Sequence, residues 1–270
     1  NLVDAECTSM IISAATCNPT ITAPAGRRPI ASLCVSSSAD AGAGTLRQAI
    51  LDANASVGVA DYIAFNMGSA PPYDINPTSS LPPLTDPAGV VMDGFTQYGS
   101  SPNTNATGSL NGTIGVAINN NTSANDTGIT LASTNNVLKG LSFTKWGDGT
   151  LSANDIAIAI TANNNSVLSC YVGMTPPGII LSGTTCYYGI AVTSNNNTIG
   201  DGTAGGRNLI SGNANTGLYL SGTGNIIKGN IIGPQANGTS YVASNPQAYG
   251  IVVNGSANNT IGGTITGADR

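Results

Sequence analysis

The closest approach to a reactive cluster in this chain is Asp148, Asp155 and Lys145, two carboxylates and an amine in one short stretch. A carboxylate serves as a general base only when it is held beside a polarised substrate. The other acids of the second half, Asp126, Asp201 and Asp269, are scattered singly, so the stretch reads as a solvated turn. The sequence contains no histidine and no C-x-x-C pair, which argues against a zinc site and any other metal centre built on sulfur. The run Gly202-Thr-Ala-Gly205-Gly206-Arg207 lacks the Lys-Ser/Thr of a phosphate loop and no helix follows it, so it is a turn. Arg207 either bridges neighbouring segments there or solvates that turn. Trp146, Tyr188 and Tyr219 are the side chains able to stack on sugar rings. Tyr187 and Tyr188 point to opposite faces if they lie in a strand, so at most one joins such a platform. Nothing in this inventory calls for a cofactor.

Five cysteines remain. Cys170 and Cys186 lie on neighbouring strand-like runs and are expected to form a disulfide. Of Cys7, Cys17 and Cys34 two are expected to pair, with Cys7–Cys17 favoured, and the odd one is buried or links to another chain. Bridged cysteines imply an oxidising compartment. The Asn-x-Ser/Thr triplets at Asn105, Asn111, Asn125, Asn237 and Asn254 are glycan acceptors in a suitable host.

The elements that position these groups announce themselves by repetition. A short apolar run carries Asn, an aliphatic residue two places later, then Gly: Asn136-Val-Leu138-Lys-Gly140, Asn197-Thr-Ile199-Gly200, Asn225-Ile-Ile227-Lys-Gly229 and Asn259-Thr-Ile261-Gly262. Asn165-Ser-Val167 fills the remaining place, giving steps of 29, 32, 28 and 34 residues. Each step holds three short β-branched-rich runs and too little sequence for a crossover helix, which defines one coil of a parallel β-helix. Asn at a fixed turn can stack coil on coil through its amide, so Asn136, Asn165, Asn197, Asn225 and Asn259 form a predicted structural ladder. An antiparallel sandwich would want Asn-Gly hairpins in phase with the strands. Asn111-Gly112, Asn237-Gly238 and Asn254-Gly255 do not recur in phase.

The expected architecture is all-β, a right-handed parallel β-helix with an N-terminal cap holding one short α-helix. Residues 1–36 read as a cysteine-containing cap, and 37–112 as the capping part of the β-helix. Regular coils follow from 113 to 270. The helix is placed at 45–55, with Thr45 as N-cap and Leu46, Ala49, Ile50 and Ala53 on one face.

The stretch Cys34-Val-Ser-Ser-Ser-Ala-Asp40 through Thr45-Leu-Arg47-Gln-Ala-Ile50-Leu-Asp-Ala-Asn54 resembles the CSLREA-type N-terminal module of secreted right-handed β-helix proteins. Leu81-Pro82-Pro-Leu84-Thr-Asp86-Pro87, Val91-Met92-Asp93-Gly94-Phe-Thr96-Gln97 and Asn197 through Asn213 are similar to that family's later landmarks. The resemblance covers about residues 33–270, with Thr45-Leu-Arg-Gln-Ala standing in for the cysteine-first motif. It implies a secreted fibrous domain and no reaction. The phrase Asn259 to Arg270 parallels Asn197 to Arg207 and stops where the earlier coil continues, so the chain is expected to end mid-coil. Either it continues in a longer protein or another subunit covers the end, since an open strand edge invites pairing.

Pectin-hydrolase relatives among parallel β-helices carry a Gly-His-Gly and an Asp-Asp pair, both missing here. Only 8% of residues are charged, with 13 acidic against 8 basic side chains and a net charge of -5. That balance gives no attraction to phosphate backbones, so nucleic acid is not an expected partner. Hydrophobic residues make up 40% of the chain, and their periodic recurrence argues against disorder. No window of about 18 apolar residues spans a membrane. The chain begins Asn1-Leu2-Val3 without Met, which suits a processed secreted product. The expected role is a non-catalytic, extracellular, cell-surface structural protein, a fibre or filament subunit that self-assembles head to tail through open ends. The alternatives are a glycan-binding adhesin stalk and a polysaccharide lyase or hydrolase-like enzyme.

Overall fold

The computed structural model describes residues 31–120, 126–147, 152–179, 186–240 and 246–262. The described residues open with β1 (Ala31–Val35) and α1 (Leu46–Ala55), followed by β2 (Asp61–Phe65) and β3 (Tyr73–Ile75). Three-strand coils follow: β4 (Val90–Asp93), β5 (Val116–Asn119), β6 (Thr127–Leu131); then β7 (Val137–Lys139), β8 (Ser142–Thr144), β9 (Ile156–Ile160). The series goes on with β10 (Ser166–Leu168), β11 (Tyr171–Val172), β12 (Tyr188–Val192), then β13 (Thr198–Asp201), β14 (Leu209–Ile210), β15 (Thr216–Leu220). The final described strands are β16 (Ile226–Lys228), β17 (Ile231–Ile232), β18 (Tyr249–Val253) and β19 (Thr260–Ile261).

Every strand pairs in parallel with its equivalent in the next coil. The result is three sheets: sheet A, β1-β2-β4-β7-β10-β13-β16-β19; sheet B, β3-β5-β8-β11-β14-β17; and sheet C, β6-β9-β12-β15-β18. This is an all-β parallel solenoid. Register stacks like on like. Ile63, Met92, Leu138, Val167 and Ile199 form one interior column on sheet A. Ile75, Ile118, Phe143, Val172 and Ile210 form another on sheet B. Leu131, Ile160, Val192 and Leu220 form a third on sheet C. All of these are buried in one continuous core. With strands about 4.8 Å apart, aliphatic side chains in such columns touch directly from coil to coil.

The helix lies where the sequence places it. Thr45 caps it by accepting from the Gln48 N–H at 3.3 Å, and Leu46, Ala49, Ile50 and Ala53 are buried. It packs on β1 and β2 at the point where the described strands of sheets B and C have not begun, so α1 takes the place of strands in the first described coil. Arg47 holds the following segment by donating to the carbonyls of Ser79 and Ser80 at 2.8 and 2.7 Å. Leu84 then bridges to Leu131 and supplies the first sheet C contact.

Three apolar runs that read as single strands, 137–143, 167–172 and 226–232, are each bent into two strands on adjacent sheets. The bends sit at Gly140, Ser169 and Gly229, which take φ of 68°, 51° and 69°. A left-handed residue turns the chain without breaking the apolar sequence. Among the described residues no helix is long and apolar enough to cross a membrane.

Candidate functional site

From β7 onward each coil turns into sheet A through a left-handed residue, Asn135, Asn164, Asn196, Gly224 or Asn258, followed by an asparagine of the ladder. The amide oxygens of these inward asparagines carry the coil-to-coil bonding. The N–H of Val90 donates to Asn136 Oδ1 at 3.0 Å, and that of Asn136 to Asn165 Oδ1 at 2.8 Å. Asn165 donates to Asn197 at 2.8 Å, Asn197 to Asn225 at 2.7 Å and Asn225 to Asn259 at 2.7 Å. The amide nitrogens close the same turn: Asn136 Nδ2 bonds the Ser133 carbonyl and Asn165 Nδ2 the Ala162 carbonyl, both at 2.7 Å. Buried polar groups that satisfy one another in this way fix a single register. A second, shorter ladder lies at the corner before sheet B and escaped sequence reading. There Cys170 N–H donates to Asn208 Oδ1 at 2.8 Å, and Asn208 Nδ2 donates to Asn230 Oδ1 at 2.8 Å. Its signal was the Asn after Gly229 and after Arg207, hidden because the earlier coils place Leu141 and Cys170 there.

Sheet B does not offer an open groove. Its outward residues Tyr171, Leu209 and Ile231 form a separate apolar cluster with Ile114 and Met174, packed under Phe95, Leu110 and Ala236. The segment between Ser101 and Thr113, which bond each other at 2.9 and 2.8 Å, lies over this face. Arg207 clamps it. The side chain is 5% exposed; Nε donates to Gly229 O at 3.1 Å, and the two terminal nitrogens donate to Asn105 O and Gly108 O at 2.9 Å each. Burial pushes its pKa below the ordinary arginine value. Arg207 therefore bridges segments rather than solvating a turn.

Two expectations are overturned. Cys170 and Cys186 are not bridged: both are buried free thiols, and burial pushes each pKa up to about 12. They occupy different corners of one coil. Cys170 lies before β11 against Gly140 and Leu141, while Cys186 lies before β12 against Trp146, so each stacks on the coil below. A disulfide needs the two Cβ atoms to face each other within about 4.5 Å. Among the described residues no two cysteines are bridged to each other. Cys34 is disulfide-bonded, which removes it as the odd cysteine of the amino-terminal trio. Cys7 and Cys17 lie outside the described residues. Trp146 is the second correction. It is 0% exposed and donates Nε1–H to Ile118 O at 3.2 Å, so it is core and cannot stack on a sugar.

Tyr188 and Tyr219 do come together on the outside of sheet C. Their ring centroids lie 5.0 Å apart at 34°, and Tyr187 meets Tyr188 edge-on at 4.8 Å. Asn254 Nδ2 donates to the Tyr219 hydroxyl at 2.6 Å. Burial, with the neighbouring Tyr187 and Tyr219 hydroxyls, raises the pKa of Tyr188. One coil below Tyr188 sits Ile156, which lines an open groove of about 590 Å³ with Ser80, Leu81, Pro83, Thr127 and Thr130. Of the other glycan-acceptor asparagines, Asn111 and Asn237 are exposed like Asn254. Asn105 is half-buried with its Nδ2 on Ser109 O at 2.9 Å, and Asn125 lies outside the described residues.

Several carboxylates are tied into the frame. Tyr62 donates to Asp93, which also pairs with Lys139 at 2.8 Å; Arg47 pairs with Asp40 at 2.7 Å; Thr203 donates to Asp201. Asp155 is buried, not solvated, and accepts from Ser152 N–H at 3.3 Å, while Asp148 lies outside the described residues. Among the described residues no three Asp, Glu, Cys or His side chains converge as a metal-binding group. No family model and no curated protein matches this chain.

Proposed function

We propose that this chain is a non-catalytic structural protein of the cell surface, a stiff stalk or filament segment related to the CSLREA-type secreted β-helix proteins. The observation that carries the reading is the unbroken line of inward asparagines from Asn136 to Asn259, the first four of them buried, which ties each of these coils to the next. A solenoid whose coils bond only their neighbours is a rod, and its stiffness is the sum of such contacts. The covered face of sheet B and the engagement of Asp40 and Asp93 in ion pairs support the same reading. On the last described coil Val253 and Ile261 are 50% and 49% exposed, whereas their column partners Leu220 and Ile199 are 0% exposed. A further β-coil laid on that face would bury them.

The tyrosine face favours a second reading, a stalk that also holds a neutral glycan along the Tyr188–Tyr219 platform. One assay separates these from an enzyme: incubation with neutral and acidic polysaccharides, read for new reducing ends, beside a glycan array. The structural reading expects no turnover. Array signals lost in Tyr219→Ala would establish the glycan platform, and sustained release of reducing ends would overturn the non-catalytic role.

A further inference from the structure

The Tyr188–Tyr219 pair and the open groove beside Pro83 stand on one surface, the outward face of sheet C. Parallel register carries two outward columns from one to the other. Thr127 pairs with Ile156, and Ile156 with Tyr188. Thr130 pairs with Ala159, Ala159 with Ala191, and Ala191 with Tyr219. Ala159 and Ala191 are 9% and 6% exposed, and their methyl groups keep the sheet low between the larger side chains at either end. Thr130 and Tyr219 are three coil steps apart, about 14 Å at the usual strand spacing. The groove at the Thr130 end of this strip has a volume of about 590 Å³. Its wall, from Ser80 to Pro83, is held in place. Arg47 donates to the Ser79 and Ser80 carbonyls, and Asn54 Nδ2 donates to Pro83 O at 2.8 Å. The next residue, Leu84, donates its N–H to Thr130 O and accepts from Ala132 N–H, both at 2.9 Å.

A fixed wall and a sheet floor offer a ligand a surface that needs no rearrangement, which lowers the cost of binding to it. The side chains lining the groove include no ionisable group; Ser80, Thr127 and Thr130 offer hydroxyls among the apolar Leu81, Pro83 and Ile156. Asp126 stands beside the groove, where it accepts from the Ser80 hydroxyl at 2.6 Å, and its charge disfavours an acidic ligand. A sugar ring has matching chemistry, a hydroxyl edge and an apolar C–H face that packs on an aromatic side chain. We infer that the groove and the tyrosine pair form one continuous site for a linear, neutral oligosaccharide lying along the axis of the rod. A chain that touches both ends spans about 14 Å, longer than a disaccharide. The inference rests on the tyrosine-platform reading and extends it from one stacking patch to a strip across β6, β9, β12 and β15, which selects for chain length.

The test is calorimetric titration of the full chain with cellobiose and cellohexaose, with mannobiose and mannohexaose, and with hexagalacturonic acid. At least one neutral hexasaccharide should bind about tenfold tighter than its disaccharide, because it joins two contacts in one molecule. Hexagalacturonic acid should bind about tenfold more weakly than that neutral chain. Ala159→Arg stands a long side chain in the middle of the strip. The hexasaccharide should then fall to the affinity of the disaccharide, whose own binding stays within about threefold. Thr130→Arg, which obstructs the groove end, serves the same purpose should Ala159→Arg not fold. Tyr219→Ala should weaken both sugars about tenfold. A hexasaccharide no tighter than its disaccharide, or an advantage that survives the arginine variants, would overturn the continuous site; the tyrosine platform stands in that case only where Tyr219→Ala still weakens binding. No binding heat from any neutral sugar at millimolar concentration, or binding unchanged in Tyr219→Ala, would overturn both. Acidic and neutral chains binding alike would overturn the neutral class of ligand.

Discussion

Replacing Asn197 by Ala should lower the free energy of unfolding by about 3 kcal/mol, far more than its small change in volume would suggest. Its Oδ1 accepts the buried N–H of Asn165 at 2.8 Å, and its Nδ2 donates to Ser194 Oγ at 3.1 Å. Alanine leaves the Asn165 N–H without a partner in a place water does not reach, which costs about 1–3 kcal/mol by itself. The lost amide also opens a void against the neighbouring rungs. Because each coil is held only by its neighbours, the break falls in the middle of the rod and loosens one half from the other. Denaturant unfolding should show a lower midpoint and a shallower transition. Asn163→Ala is the control. Asn163 Oδ1 accepts from Asn195 N–H at 2.8 Å in the same way, but the residue is exposed, so water replaces it and the cost stays within about 0.5 kcal/mol. Equal losses at the two positions would show that the ladder adds nothing specific.

Arg207→Met should act locally and strongly. The guanidinium holds three carbonyls, two of them in a segment far away in sequence, Asn105 and Gly108. Methionine fills much of the space and removes the burial of a charge, so the loss is smaller than the bonds alone imply. A net loss of about 2 kcal/mol in the docking of residues 101–113 corresponds to cleavage of that segment about 30-fold faster by a protease. Its release would uncover Tyr171, Leu209 and Ile231, so binding of a hydrophobic dye should rise in parallel. Arg207→Lys should resemble methionine more than arginine, because one ammonium cannot serve three carbonyls spread around a planar fork. Unchanged cleavage would mean that apolar packing alone holds the segment.

The parts legible in the sequence were those written by repetition. Asn136 through Asn259, each following a left-handed residue, recur because every coil solves the same backbone problem at the same corner. The helix was legible because Thr45 and the spacing of Leu46, Ala49, Ile50 and Ala53 are local signals. What stayed hidden depends on which coil lies above which. Trp146 reads as an exposed aromatic until it is seen beneath Gly128, whose missing side chain leaves its ring room. Cys170 and Cys186 look like a bridging pair along the chain, yet one coil carries them to separate corners. Arg207 meets a loop 102 residues earlier. The bends at Gly140, Ser169 and Gly229 were invisible because the apolar character continues across them.

The most direct test of the structural role is negative-stain electron microscopy of the native material, with intact mass measured on the same sample. The account predicts stiff, unbranched rods of uniform width, either joined into filaments or forming the stalk of a longer surface protein. Compact, separate particles of single-chain mass, with no rod or fibre on the cell surface, would contradict it.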